Sequence, residues 1–183
     1  MKILHVVEAF GGGVYSFLTD LCNDLANEHE VIIVYSVRKE TPKNFQNDFH
    51  PSIRFIKLDM NLKKSLKSIF KLKKIIQKEN PDVVHLHSSK AGFVGRIASK
   101  LGRYQGKLFY NPHGLAYLRQ DIPEILRYTF FYSEKILSKL GGTIVAVSQS
   151  EKKEVERFTK NVIQINNGID IDETSKELNG IKN

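Results

Sequence analysis

The sequence predicts an α/β domain of three layers, with a mostly parallel sheet of about seven strands and helices on both faces. Seven short runs rich in β-branched residues recur along the chain, and segments long enough for helices separate most of them. Strands that alternate with helices pair in parallel, because each return crossover needs a dozen or more residues. The composition agrees: 183 residues, 41% hydrophobic and 26% charged, suffice for one domain with a substantial core. The arrangement is Rossmann-like and is assigned to residues 1–172. The polar segment 173–183 has no strong apolar pattern and stays weakly assigned.

Residues 2–7, Lys-Ile-Leu-His-Val-Val, form the first strand, and helical periodicity follows over 14–27. Strands come next at 31–37 and 53–58, then a helix at 63–79. Three strand and helix pairs follow, 83–87 with 91–101, 107–111 with 122–140, and 143–147 with 150–158, and a strand at 162–165 closes the sheet. Cys22, the only cysteine, lies in the first helix. It excludes an intramolecular disulfide and a thiolate metal cluster, and it reads as a small core residue. No apolar stretch approaches the roughly 20 residues that span a bilayer, and no signal-peptide pattern precedes the first strand, so the expected location is the cytoplasm.

A net charge of +8 draws something anionic to the surface. The segment 62–78 carries seven lysines, and helical spacing separates them from the apolar side chains. Leu62, Leu66, Ile69, Phe70, Leu72 and Ile76 gather on one side, while Lys63, Lys64, Lys67, Lys71, Lys74 and Lys78 gather on the other, with only Lys73 out of phase. The basic side is either a plain solvated face or, through Lys63, Lys67, Lys71 and Lys74, a contact for an anionic membrane. It lacks the interleaved aromatics of a single-strand platform and holds lysine rather than arginine, so no nucleic-acid partner is expected.

Ligands of open parallel sheets bind outside the carboxyl ends of the strands, where strand order reverses. The chain's most polar and glycine-bearing turns fall there: Glu8 to Gly13, His87-Ser88-Ser89-Lys90, Pro112-His113-Gly114, Ser148-Gln149-Ser150 and Asn166-Asn167-Gly168. Gly11-Gly12-Gly13 lets backbone N–H groups and a helix dipole approach a phosphate or carboxylate, although a turn without a ligand would also use glycine. The dinucleotide fingerprint is incomplete, since Ser16 follows Gly13 and Ser36-Val37-Arg38 ends the second strand where an acidic residue belongs. His85 and His87 share a strand face, but no third ligand is spaced nearby in sequence, which disfavours a metal. His87 at the strand end is expected to reach the crevice beside Ser88 and Lys90, or else to be a structural histidine. His113, braced by proline and released by glycine, is placed for ligand contact. A nucleophile elbow, a P-loop lysine and a CxxC pair are all absent from the sequence.

Taken in order, these motifs resemble the amino-terminal domain of the family 4 retaining glycosyltransferases of bacterial capsule and exopolysaccharide synthesis. The resemblance rests on Lys2 to Val7 with the glycine loop, Pro81-Asp82-Val83-Val84-His85-Leu86-His87, Asn111-Pro112-His113-Gly114, residues 144–151 and residues 162–170. It implies the amino-terminal half of a GT-B fold and transfer of a sugar, with retention, from a nucleotide-sugar donor to a saccharide acceptor. That acceptor would be lipid-linked and met at the inner face of the membrane, and neither metal nor cofactor is implied. By motif position His113 contacts the transferred sugar near its reacting centre, while Gly12, Gly13, His87, Ser88, Lys90 and Gly114 bind substrate. The family's second domain, with basic residues for the donor diphosphate and paired glutamates, does not follow Asp172, so the resemblance implies that the chain alone is inactive or nearly so.

Three rival readings remain. An NADP-dependent oxidoreductase would meet a 2′-phosphate with Arg38 and Lys39, although the lone Tyr-x-x-x-Lys, Tyr35 to Lys39, sits at a strand. A sugar-nucleotide epimerase would share the architecture. A non-enzymatic module would bind anionic partners through its lysines.

Overall fold

The computed structural model describes residues 1–61 and 65–166. Seven strands, β1 (Lys2–Val7), β2 (Glu30–Tyr35), β3 (Arg54–Lys57), β4 (Val83–His87), β5 (Lys107–Asn111), β6 (Thr143–Ala146) and β7 (Val162–Gln164), form one sheet. Its order is β3-β2-β1-β4-β5-β6-β7, and every neighbouring pair is parallel. Five helices join them: α1 (Gly12–Leu25), α2 (Ser65–Glu79), α3 (Ser89–Leu101), α4 (Glu124–Ser138) and α5 (Gln149–Glu156). All seven strands and five helices lie where the apolar periodicity predicts them, with ends shifted by one or two residues.

Alternation along the strands divides the core in two. Leu4, Val6, Ile32, Val34, Val84 and Leu86 face one way, into a cluster with Ile69, Leu72 and Ile76 of α2, Ala91, Val94 and Ala98 of α3, and Val155 of α5. Val7, Val31 and Ile33 face the other way, toward Leu18 and Cys22 of α1 and toward Phe10, Phe45 and Phe49. Helices therefore lie on both faces as expected, but unevenly, with α1 alone on its side. The cause is topological: right-handed crossovers put a helix on one face when the chain steps from β1 toward β3 and on the other when it returns and steps from β4 toward β7. Cys22 is fully buried, as its place in the apolar pattern predicts, and burial pushes its thiol up to about 12.

Helix α3 sits close against the sheet. A Cβ added to Gly95 would collide with Leu86, and one added to Gly92 would collide with the Tyr110 ring. That approach brings Ser89 and Lys90 to the carboxyl edge. It also seals in a charged group: Arg96, 1% exposed, donates from Nη2 to Glu134 Oε2 at 2.6 Å and from Nε to Gly92 O at 3.1 Å. Tyr110 donates to Glu134 Oε1 at 2.9 Å, and its ring centre lies 4.3 Å from the guanidinium carbon. One buried ion pair thus ties α3, β5 and α4 together.

Two residues placed on the apolar side of α2 do not join the core. Leu66 is 75% and Phe70 56% exposed. The buried stripe is Ser68, Ile69, Leu72, Ile76 and Glu79, so the sheet sits about 100° or more around the helix from Leu66 and Phe70. Both stand beside Lys67, Lys71 and Lys74, which are all exposed. Lys63 and the segment 173–183 lie outside the described residues.

Candidate functional site

Strand order reverses between β1 and β4, and the candidate residues gather at the carboxyl ends of those two strands and of β5. A cleft of about 640 Å³ opens there, lined by Glu8, Arg38, Ser88, Lys90, His113 and Gly114 among others. Four of these come from the predicted set: Ser88, Lys90, His113 and Gly114. Val14 of α1 lines the same cleft, next to Gly12 and Gly13. Gly12 has φ +55 and, like Gly13, has open space where a Cβ would stand, so a ligand can approach both backbones. No side chain caps α1, which leaves its amino terminus free for an anion. Gly11 has a different reason: its Cβ would meet Glu40.

Two of the four non-glycine residues with positive φ among the described residues lie at the cleft. Ser88 has φ +76 and His113 φ +50, values that side chains other than glycine rarely adopt. Gly114, at φ +102, releases the chain after His113. Its N–H donates to Glu151 Oε1 at 3.3 Å, and Val147 N–H donates to Oε2 at 2.8 Å. Glu151 in turn sits three residues after the α5 cap Ser148, whose hydroxyl accepts from Glu151 N–H at 3.1 Å. The Ser148-Gln149-Ser150 turn is thus a helix cap that props the His113 loop. Ser88 Oγ is buried and has no protein partner among the described residues.

Charge in the cleft centres on Glu8, a residue that sequence reasoning passed over. It is buried, yet it accepts from Lys90 Nζ at 2.9 Å and from Arg38 through both oxygens. One carboxylate holds two cations, so the group keeps a surplus positive charge facing the cleft. Glu8 follows immediately after the apolar run of β1, which was the available signal. Arg38 is engaged here rather than free for a 2′-phosphate.

His87 takes the structural alternative rather than a place in the crevice. It is fully buried, one ring behind His113, with Nδ1 3.1 Å from His113 Nε2 and Nε2 3.0 Å from His5 Nδ1. Phe17 of α1 packs edge-on against His113, with ring centres 5.0 Å apart. The third nitrogen ligand that spacing failed to supply also exists, because sheet register sets His5 beside His85. Nitrogens of His5, His85 and His87 lie within 4.8 Å of one another. Metal–nitrogen bonds of about 2.1 Å bring ligand atoms within about 4 Å, and His5 and His87 already spend nitrogens on each other. Burial lowers His5 and His113 to about 4 and holds His85 and His87 well below the usual imidazole value, so all four rings are neutral at pH 7.

The sequence pattern of Glycosyltransferase Family 4 matches residues 11–173. The chain belongs to that family. A Klebsiella pneumoniae protein described as an uncharacterized 41.2 kDa protein in the cps region is 31% identical over 157 residues, covering 84% of this chain and 42% of the relative. The Escherichia coli UDP-Gal:alpha-D-GlcNAc-diphosphoundecaprenol alpha-1,3-galactosyltransferase is 27% identical over 128 residues, covering 66% of this chain and 32% of the relative. Among solved structures, Anabaena Alr3699/HepE in complex with UDP and glucose superposes with a TM-score of 0.71 at 18% identity, over 98% of this chain and 50% of that one. The family 4 chain thus spans half or less of the length of these proteins, and the last similarity speaks for fold alone. Membership favours sugar transfer over the oxidoreductase and epimerase readings.

Proposed function

We propose that this family 4 domain forms the acceptor side of a glycosyltransferase that moves a sugar, with retention, from a nucleotide-sugar donor to a lipid-linked saccharide in cell-surface polysaccharide synthesis. The observation that carries the proposal is His113, held in a strained backbone at the point of strand reversal and facing a cleft with surplus positive charge. His113 contacts the transferred sugar near its reacting centre, and Ser88, Lys90 and Gly114 line its path. N–H groups of Gly12 and Gly13 at the free end of α1 meet the departing diphosphate, where fixed donors stabilise developing charge. No metal is needed, since backbone dipoles and cations do that work. The E. coli relative is named for UDP-galactose and a diphosphoundecaprenol acceptor, and the K. pneumoniae relative for a cps region, which supports this substrate class.

An apolar pocket of about 220 Å³ supports the lipid-linked acceptor. Met60, Phe93, Val94, Phe130 and Leu137 line it, and it shares Lys90 with the cleft, so a lipid tail and its diphosphate would find neighbouring surfaces. Among the described residues no helix is long and apolar enough to cross a membrane. The exposed Leu66 and Phe70 beside Lys67 and Lys71, and Ile125 and Ile136 on α4, suit a peripheral contact at the cytoplasmic face.

Full-length protein incubated with nucleotide sugars, a lipid-linked sugar diphosphate and a chelator tests the proposal. Transfer should proceed, and NMR of the product should show the donor's anomeric configuration; inversion, or a requirement for a divalent cation, would count against it. Charge reversal at Lys63, Lys67, Lys71 and Lys74 should weaken partitioning onto anionic vesicles about a thousandfold at low salt, at roughly 1 kcal/mol per lysine, and less at high salt. Unchanged sedimentation would retire the membrane face.

A further inference from the structure

The geometry points to a locked hydrogen-bond chain, His5 to His87 to His113, that fixes the tautomer of His113 so that its Nδ1–H is offered to the cleft. It rests on the reading of that cleft given above, and it makes His87 and His5 positioning residues that act through His113.

A neutral imidazole carries one N–H and one lone pair, so a ring bonded at both nitrogens must donate through one and accept through the other. His87 is such a ring, bonded to His5 Nδ1 at 3.0 Å and to His113 Nε2 at 3.1 Å. Only two arrangements satisfy both bonds. In one, His5 Nδ1 donates to His87 Nε2 and His87 Nδ1 donates to His113 Nε2, which leaves the proton of His113 on Nδ1. In the other every proton moves to the opposite nitrogen. The buried end of the chain decides between them. His5 Nε2 is enclosed and has no protein partner among the described residues, so the first arrangement leaves a lone pair facing the interior there and the second an N–H. Buried N–H groups without partners are the rarer of the two. The first arrangement is therefore selected.

At the open end, Nδ1 of His113 is bonded to no protein group among the described residues, and the residue lines the cleft. Phe17 and His87 pack the ring from two sides and hold its orientation. Burial keeps the rings neutral, so the lock holds at neutral pH. A fixed donor suits a hydroxyl oxygen of the transferred sugar, which it holds in one orientation while the bond to the leaving group lengthens.

Long-range proton–nitrogen NMR of the protein labelled with 15N-histidine reads each tautomer directly. The expected spectrum shows His5, His87 and His113 all protonated on Nδ1. Protonation of His113 on Nε2, or a mixture of tautomers, overturns the inference, and that measurement needs no variant. In the full-length protein, His5→Phe should free the tautomers of His87 and His113 and lower kcat about tenfold with KM for donor unchanged. His5→Gln, which can still donate to His87, should restore both. A kcat unmoved by His5→Phe while the tautomers mix would remove the positioning role. The cleft reading fails separately: His113→Ala would then transfer sugar normally while wild-type spectra still showed the lock.

Discussion

Acidification from pH 6.5 toward pH 4 will unfold this protein through its histidines. Burial lowers His5 and His113 to about 4, so the unfolded chain, whose histidines titrate near 6.5, binds protons first. The stability these rings contribute is complete above pH 6.5 and drains as pH falls toward 4. A shift of that size is worth roughly 3 kcal/mol for each of the two rings, and about 2 kcal/mol each is already lost by pH 5. His85 and His87 are also lowered, by burial and by the neighbouring rings, and they add in the same direction. Against a total stability of about 5–15 kcal/mol for a domain, the cluster can exhaust the fold before ordinary carboxylates protonate. Urea midpoints recorded from pH 7.5 to 4.5 check this; midpoints flat between pH 7 and 5 would contradict it.

Glu134→Ala should be the most damaging single substitution outside the cleft. It strands the Arg96 guanidinium, which is 1% exposed and has Glu134 as its only carboxylate among the described residues, and it removes the acceptor of Tyr110. Breaking a buried pair costs about 3–5 kcal/mol, because the remaining charge stays desolvated. In a chain of this size that lowers Tm by roughly 10 °C. The double substitution Arg96→Met with Glu134→Leu should recover most of the loss, since removing both charges removes the penalty along with the bond. A single variant within about 1 kcal/mol of the parent would show that the pair is hydrated in solution.

The sheet and its helices were legible because β-branched runs and helical spacing are local signals, and the strand-end rule then located the cleft without knowledge of contacts. What stayed hidden depended on strand adjacency. His5 lies 80 residues from His85 and faces it only through the β1 and β4 register. The sequence leaves His87 either in the crevice or structural, and it is the second, a buried ring behind His113. Glu8 carries no motif, and Arg96 is buried in a helix that glycines bring close to the sheet, which no local pattern marks. Leu66 and Phe70 obeyed the spacing of an apolar stripe, but spacing does not say where along that stripe the sheet will lie.

His113 is the residue on which the functional account turns. The most direct measurement is steady-state sugar transfer by the full-length protein carrying His113→Ala, with folding checked by thermal denaturation. A contact made chiefly in the transition state predicts that kcat falls by about 10²-fold or more while KM for the donor stays within about threefold. A folded variant whose kcat remains within about threefold of the parent would contradict the account and move the reaction away from this cleft.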